Sequence, residues 1–349
     1  MKMRPLVSII IPHWNSIDII TECLESLQKT TYPNLEIIVV DNNSSDDSVN
    51  HINKNFPNVI IFENERNEGY AGGCNRGSEI AKGEYLLFLN NDTIHQPNWI
   101  EPLVSLLNEN LQIAAVQPKL LNYYQKNLFD YAGAAGGMMD IFVFPFARGR
   151  IFNEQEIDSN QYDLKKEIFW SSGTAFLVRR TAFDKAGKFD ELFFAHMEEI
   201  DLCWKFHLLG FNVWSEPNSV IYHKNAVSLP MYTEKKYYLN HRNSLIMLLS
   251  NYSLPLAVYV FPIRWALDIV AIIYAILKGD WKHIKGIAKA HAWIVFHPRK
   301  LLNKRIRVKD VRKIKDKTIL RKMYSGSIVF AHYILGKNRY SDLTDRPRS

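Results

Sequence analysis

The sequence contains little cysteine. Cys23, Cys74 and Cys203 are the only three among 349 residues, and neither their number nor their spacing is typical of a disulfide framework or a zinc site. The chain also begins without the apolar run of a secretory signal, because its first apolar stretch is short and is interrupted at Pro12. We therefore expect a reducing environment on the cytoplasmic side of a membrane.

The composition is that of a folded protein with an uneven distribution of charge. Hydrophobic residues make up 47% and charged residues 23% of the chain, which excludes a mostly disordered protein. Residues 278–349 contain 20 Lys and Arg against 5 Asp, a net charge of +15, while the rest carries −8. Such a basic tail predicts contact with a polyanion, either nucleic acid or an anionic membrane.

Short apolar runs alternate with helical patterns over the first third of the chain. Uninterrupted apolar strands separated by helices are typical of a parallel sheet that is buried on both faces. The sequence therefore predicts an α/β architecture. The predicted strands cover residues 6–11, 35–40, 59–63, 84–89 and 113–119.

Polar segments follow four of these strands, at 12–15, 41–46, 67–77 and 90–92. Ligands of parallel sheets bind at the carboxyl ends of the strands, so we expect these segments to form one site. The glycine-rich third segment lacks the G-x-G-x-x-G pattern, which argues against a Rossmann oxidoreductase. Asp92 is a suitable ligand for Mg²⁺ or Mn²⁺ shared with phosphate oxygens.

Three carboxylates, Glu198, Glu199 and Asp201, crowd the start of a helix predicted over 197–209. The helix dipole explains one or two acids at this position, but not three behind an aromatic run. A carboxyl group surrounded by acids and rings has a raised pKa, which suits a general base. His223 follows a short apolar strand, where it would either complete a divalent metal site or serve the structure.

Two further segments precede the end of the chain. Residues 254–277 are mostly apolar but include two prolines, an arginine and an aspartate, which is a poor composition for a single bilayer-spanning helix. Residues 280–297 place apolar side chains on one helical face and lysines on another, as in helices that lie on a membrane surface. The alternative is a core helix of a small C-terminal subdomain.

Together these motifs resemble the inverting nucleotide-sugar glycosyltransferases of family two, which have the GT-A fold. The matching segments run from residue 7 to residue 243, and the branch contains bacterial rhamnosyltransferases and galactofuranosyltransferases of surface polysaccharides. The resemblance implies a mostly parallel sheet flanked by helices. It also implies a glycosyltransferase domain over 1–250 and a helical, basic, membrane-associating region over 251–349.

The resemblance implies roles for individual residues. Glu199 matches the catalytic base, and Asp92 and His223 match the metal ligands, while Asn90 stands where the family's D-x-D motif has its first Asp. The residues implied at the nucleotide are Pro12, Asn15, Asp41, Gly69, Asn75 and Asn91. Those implied on the acceptor side are Trp170, Ser172, Gly173, Glu198, Asp201 and Arg242.

The implied reaction moves a sugar from a nucleotide diphospho-sugar, with Mg²⁺ or Mn²⁺, to a hydroxyl of a glycan or a polyprenyl-diphosphate-linked acceptor. The branch suggests dTDP-rhamnose as the donor, and a UDP-sugar is the other candidate. The tail is expected to bind the anionic cytoplasmic face of the cell membrane, and no nucleic acid is expected, because its basic residues lack a recognition motif. The alternative function is a catalytically silent nucleotide-sugar-binding subunit of a polysaccharide assembly complex.

Overall fold

A computed structural model describes residues 4–225 and 233–344. The centre of the fold is a nine-stranded sheet. In chain order, the strands are β1 (Val7–His13), β2 (Leu35–Asp41), β3 (Ile60–Glu63), β4 (Tyr85–Leu89), β5 (Thr93–His95), β6 (Ile113–Asn122), β7 (Gly137–Met139), β8 (Pro145–Ala147), β9 (Arg150–Ile151), β10 (Glu154–Gln155), β11 (Lys166–Ile168), β12 (Ala175–Arg179) and β13 (Asn212–His223). The helices are α1 (Ile17–Leu27), α2 (Ser48–Asn55), α3 (Gly69–Ile80), α4 (Ile100–Glu109), α5 (Arg180–Lys185), α6 (Glu198–Leu209), α7 (Glu234–Asn251), α8 (Leu254–Lys278), α9 (Trp281–Phe296), α10 (Pro298–Val311), α11 (Asp316–Leu320), α12 (Ile328–Tyr333) and α13 (Tyr340–Thr344).

The large sheet has the order β11-β13-β6-β12-β4-β1-β2-β3, with β5 paired to β13. Strands β3, β2, β1 and β4 are parallel to one another, and β13 is parallel to β6. Strand β12 is antiparallel to both β4 and β6, so the carboxyl ends of β4 and β6 still share one edge. The predicted fold, a mostly parallel sheet flanked by helices, is confirmed.

The apolar strands are buried on both faces. In β1, Ile10 packs into one core cluster while Ile9 and Ile11 pack into the other, and in β4 Phe88 and Leu87 divide in the same way. Side chains of successive strand residues point to opposite faces, which is why the strands lack polar alternation. The helices covering the two faces leave the carboxyl ends of the strands free to form a site.

Two parts of the chain differ from the sequence prediction. Residues 122–167, which show no clear pattern, contain a small antiparallel sheet of the order β10-β9-β8-β7. The short apolar strand expected before His223 is the end of a longer strand, β13, which has a register shift between Glu216 and Val220. This irregularity accommodates Pro217, which cannot donate to a regular ladder.

The C-terminal helices share the core of the sheet domain. Val260 of α8 and Val308 of α10 belong to the same buried cluster as Phe88 of β4. Lys304 of α10 is 1% exposed, and its Nζ lies 2.9 Å from the carboxylate of Asp201 on α6. The domain boundary at residue 250 stays a prediction, but the hydrophobic core is continuous across it.

Candidate active site

The ends of β1 and β2 are joined by hydrogen bonds between their loops. The backbone N–H of Asn15 donates to Ser44 Oγ at 2.8 Å, and Asn15 Oδ1 accepts from the Ser45 N–H at 2.8 Å. Asp41 Oδ2 accepts from the Ser44 N–H at 2.9 Å. The structure therefore brings Asn15 and Asp41 of the predicted nucleotide site together, beside Pro12 at the end of β1.

The end of β4 adjoins the end of β1 through Asn91. Its side-chain amide lies 2.9 Å from His13 Nδ1, while His13 Nε2 is buried without a hydrogen-bond partner. Burial lowers the pKa of His13 more than Asp41 and Asp46 raise it. At neutral pH the imidazole is therefore uncharged, and its Nε2 atom is available beside the predicted nucleotide loops.

Asp92 and His223 face each other at the edge of the sheet. Asp92 Oδ1 and His223 Nε2 are 3.0 Å apart and form a buried ion pair. On its other side, His223 Nδ1 lies 3.0 Å from Asp130 Oδ1. A carboxylate that orients an imidazole in this way is common behind metal-ligating histidines.

The charges of this group fit a divalent cation. Burial lowers the pKa of His223, but Asp130 and Asp92 outweigh burial and raise it well above its ordinary value. The same carboxylates provide negative charge for a metal ion. Within 4–225 and 233–344, no cluster of three potential protein ligands is present, so phosphate oxygens or water would complete the coordination, as is usual for Mg²⁺.

Glu198 and Glu199 form a pair of protonatable groups at the start of α6. An Oε2 atom of each is buried without a hydrogen-bond partner. Burial raises the pKa of Glu199 to about 7, although backbone amides, including that of Gly173, oppose the shift. Burial and the charge of Glu199 raise the pKa of Glu198 well above its usual range. Glu199 is the more exposed of the two and is therefore the better placed to exchange a proton with a bound molecule.

Helix α7 holds the loop that leads into this pair. Arg242 Nη2 donates to the carbonyl oxygens of Leu192 and Phe193, each at 3.0 Å. Asn243 Nδ2 donates to the Ala195 carbonyl at 3.0 Å and to the His196 carbonyl at 2.6 Å. Arg242, predicted on the acceptor side, thus contacts the protein backbone that positions the acidic pair.

Gly173 lies between the acidic pair and α3. Its carbonyl accepts from the Tyr70 hydroxyl at 2.6 Å, and its backbone amide opposes the rise in the pKa of Glu199. The next residue, Thr174, accepts through its carbonyl from the Asn90 N–H at 2.9 Å. The base candidate and the end of β4 therefore belong to the same edge of the sheet.

Other predicted site residues bind neighbouring protein groups. Gly69 packs directly against Phe194, and Asn75 exchanges hydrogen bonds with the backbone of Phe189. Trp170 Nε1 donates to the Met138 carbonyl at 2.7 Å, and the Ser172 hydroxyl donates to the Ala132 carbonyl. Asp201 lies apart from the glutamate pair, fully buried against Lys304 and Asn251.

Sequence reasoning missed Asp130 and the structural role of Asn243. Asp130 lies in the irregular segment after β6, and nothing in its local sequence distinguishes it from other loop aspartates. Asn243 follows Arg242 directly, but its side-chain amide donates to three backbone carbonyls of a distant loop. Only the folded chain shows what either residue contacts.

The fold is similar to that of a solved glycosyltransferase. The crystal structure of GalNAc-T7 with UDP, GalNAc and Mn²⁺ matches with a TM-score of 0.57 at 18% identity, over 71% of this chain and 48% of that one. At this identity the likeness concerns the fold alone. The GT-A fold expected from the sequence is confirmed.

The sequence is similar to those of bacterial glycosyltransferases. An uncharacterised glycosyltransferase of Rickettsia typhi is 32% identical over 209 residues, 58% of this chain and 58% of that protein. The O-antigen biosynthesis protein RfbC of Myxococcus xanthus is 28% identical over 233 residues, 65% of this chain and 18% of that protein. The chain thus spans less than two thirds of either relative. The family model described as glycosyl transferase family 2 matches residues 8–187, more than half of the chain, and the chain therefore belongs to this family.

Proposed function

We propose that the protein is an inverting glycosyltransferase that moves a sugar from a nucleotide diphospho-sugar to an acceptor hydroxyl. One observation carries the proposal: Glu199 Oε2 is buried without a hydrogen-bond partner, at the same edge of the sheet as the buried ion pair of Asp92 and His223. An unpartnered buried oxygen destabilises a fold unless a ligand binds it. The proposed reaction requires a general base with an unbound oxygen and a pair of metal ligands.

In the proposed reaction Glu199 takes the proton of the acceptor hydroxyl. Its pKa of about 7 lets it be ionised and still basic near neutral pH, where general bases are most effective. The hydroxyl oxygen then forms a bond to the anomeric carbon while the bond to the diphosphate breaks, so the configuration inverts. Gly173 and the loop held by Arg242 position the base.

Asp92 and His223 would hold Mg²⁺ or Mn²⁺, and Asp130 would orient the imidazole. When bound, such an ion stabilises the negative charge that develops on a diphosphate leaving group. The structure of GalNAc-T7, which contains UDP and Mn²⁺, supports a divalent cation by analogy of fold. Asn15, Asp41 and Asn91 lie around the space proposed for the nucleotide.

The donor and acceptor are proposed at the level of class. The resemblance to rhamnosyltransferases favours dTDP-rhamnose over a UDP-sugar, and the similarity to an O-antigen biosynthesis protein supports surface polysaccharide synthesis. A glycan carried on a polyprenyl diphosphate is the acceptor that best suits the basic C-terminal region. No nucleic acid is proposed as a partner.

We also propose that α8 and α9 lie on the cytoplasmic face of the cell membrane. Helix α8 is the single helix in the described part of the chain that is long and apolar enough to cross a membrane. The two ionic residues in the middle of the helix, Arg264 and Asp268, are buried against the protein, whereas apolar side chains such as Trp265 and Leu277 are exposed. This inverted pattern is expected of a helix whose outer face meets lipid.

The alternative, a catalytically silent nucleotide-sugar-binding subunit, would not require a base. The raised pKa and open oxygen of Glu199 favour the enzyme. Slow hydrolysis of the donor without acceptor would distinguish an enzyme from a silent binder, which would leave the donor intact.

The first test is the thermal midpoint of the protein with nucleotide diphosphates and their sugars, in Mn²⁺, Mg²⁺ or EDTA. A ligand at ~100 times Kd stabilises a protein by about 2.7 kcal/mol. We expect a metal-dependent rise with one sugar nucleotide, and loss of this rise in Asp92→Asn. If no sugar nucleotide changes the midpoint in either metal, the proposal is wrong.

A further inference from the structure

A group of cations lies beside the His223–Asp130 pair. Arg150 on β9 and Lys236 in the first turn of α7 both stack on Tyr131, with the guanidinium carbon 4.5 Å and Nζ 5.8 Å from the ring centre. Tyr131 follows Asp130 directly in the chain. We call Arg150, Lys236 and Tyr131 the Tyr131 cluster.

Arg150 keeps binding capacity in this cluster. The residue is 9% exposed, and its Nη1 donates to the Phe152 carbonyl at 2.8 Å. Its Nε is buried without a hydrogen-bond partner. A buried arginine with an open donor is costly unless an anion binds it.

The neighbouring Asp130 is not the anion that binds Arg150. Asp130 acts on Arg150 through its charge, but burial outweighs it and lowers the pKa of the guanidinium. The oxygens of Asp130 are already bound, Oδ1 by His223 and by the Ala132 N–H at 2.8 Å, and Oδ2 by the Asn225 amide. Arg150 therefore remains available to an anion from outside the protein.

Lys236 adds a second positive charge to the cluster, next to Arg150. Its pKa is lowered by burial and by the charge of Arg150. The start of a helix is the positive end of its dipole, which disfavours a cation. Lys235, also in this turn, stacks on Phe194 at 5.2 Å. Two cations and a helix start attract an anion to the same place.

The cluster borders both halves of the candidate active site. Through Asp130 it adjoins the imidazole of His223. The charges of Lys236 and Lys235 also act on His196, which lies two residues before Glu198. Tyr131 and Lys236 are both partly exposed, so the cluster is accessible from solvent.

We propose that the Tyr131 cluster is a phosphate-binding subsite, in which Arg150 and Lys236 bind a phosphate or diphosphate group next to the metal site. The guanidinium group offers fixed donors that match phosphate oxygens, and the ammonium group adds charge. The identity of the substrate that carries this phosphate rests on the proposed function. It is either the diphosphate of the sugar donor or a phosphate of the lipid-linked acceptor.

The test is calorimetric titration of the full chain with inorganic diphosphate in EDTA, so that no metal ion contributes. We expect binding by the unmodified protein and roughly tenfold or weaker affinity in Arg150→Gln and Lys236→Gln, since each removes a charge-assisted contact. Lys126→Gln is the matched control, because Lys126 stacks on Tyr222 at 5.5 Å on the surface. No binding in EDTA, or equal affinity in all variants, would overturn the subsite. Lys236→Gln keeps the test valid if Arg150→Gln does not fold.

Sugar-transfer kinetics of the same variants identify the source of the phosphate. A higher KM for the donor alone assigns the subsite to the donor diphosphate. A higher KM for a phosphate-bearing acceptor, with an unchanged KM for a phosphate-free one, assigns it to the acceptor. Unchanged KM values for all three substrates contradict a role for the subsite in transfer. Because diphosphate binding is measured without transfer, an inactive protein that still binds through Arg150 would reject the proposed function and keep the subsite.

Discussion

At the scale of single residues, the candidate site is marked by polar atoms that the fold leaves unbound. His13 Nε2 and an Oε2 of both Glu198 and Glu199 are buried without hydrogen-bond partners. Each such atom costs about 1–3 kcal/mol of stability. All three residues lie around the candidate site, as expected of groups that bind a ligand.

Glu199→Gln should lose sugar transfer by ~10²–10⁴-fold, because a general base contributes about this factor. Donor binding should be retained, since the amide keeps the size of the side chain. The measurement is kcat with the donor identified by the thermal screen, with the donor-induced midpoint shift as the control for folding. A fully active variant would reject Glu199 as the base.

The pH profile of transfer should follow the ionisation of the same residue. Burial raises the pKa of Glu199 to about 7, and only the ionised form accepts a proton. The rate should therefore rise from about pH 6 to about pH 8 and then level off. A rate that is flat over this interval, measured with saturating donor and acceptor, would contradict the assignment.

At the scale of elements, the loop before α6 is held in an unusual backbone conformation. Phe194, His196 and Met197 have φ values of 65°, 65° and 74°, in the left-handed region that non-glycine residues avoid. Asn243 of α7 satisfies three carbonyls of this loop. On the other side, the Phe194 carbonyl accepts from the N–H of Tyr70 in α3 at 2.9 Å. Helices α3 and α7 thus fix the direction from which α6 presents its acids.

Gly69→Ala should disturb this contact. A Cβ at Gly69 would lie 2.3 Å from the Phe194 carbonyl oxygen, and φ at Gly69 is +72°. Gly187→Ala is the matched control, because Gly187 has φ +76° with nothing within 4 Å. Both variants carry the strain of a left-handed alanine, about 1–2 kcal/mol, so the excess loss in Gly69→Ala measures the clash.

We expect Gly69→Ala to unfold at lower urea than Gly187→Ala and to lose kcat as the loop shifts. Equal unfolding midpoints together with full activity would show that α3 does not constrain the loop.

At the scale of the whole molecule, an acidic body carries a basic C-terminal region. The two parts are joined through a buried ion cluster in which Lys304 Nζ lies 2.9 Å from Asp201 and 3.0 Å from Asp190. Because the partners are fully or largely buried, the removal of one charge would leave another buried charge without a counter-ion. The C-terminal helices are therefore part of the stable fold as well as the surface proposed to meet the membrane.

Lys304→Met should destabilise the protein by about 3–5 kcal/mol, because breaking a buried ion pair leaves an uncompensated charge. Lys309→Met is the control on the same helix, since Lys309 is exposed. Urea unfolding measures both variants. A loss below that of the control would mean that α10 is not anchored by this cluster.

Leu277→Asp should weaken binding to anionic liposomes, because Leu277 is 79% exposed on the proposed membrane face. Leu164→Asp is the matched control, because Leu164 is 81% exposed and lies outside α8 and α9. Flotation with the liposomes at low salt measures binding. Low salt is used because each basic residue near an anionic surface contributes ~1 kcal/mol to membrane binding. Equal flotation of the two variants, or a full chain that never floats, would contradict the membrane proposal.

The sequence alone determined the architecture and the edge of the sheet where the site lies. Continuous apolar runs such as β1 and β4 are local patterns whose burial on both faces follows from the parallel sheet. Polar segments after these strands, including Asp92, must then meet at the carboxyl ends. The acids at 198–201 also marked the start of α6, because three carboxylates within one helical turn can be recognised from the sequence.

Only the tertiary structure decided which side chains meet. Asp130 reaches His223 across 93 residues, and Asp201 meets Lys304 across 103 residues. Asp201 and Glu199 are neighbours in the sequence, yet the helix turns one to the core and leaves the other at the site. Nothing local encodes such pairings, because they depend on how separate elements pack. The same packing brings Arg150 and Lys236 onto Tyr131.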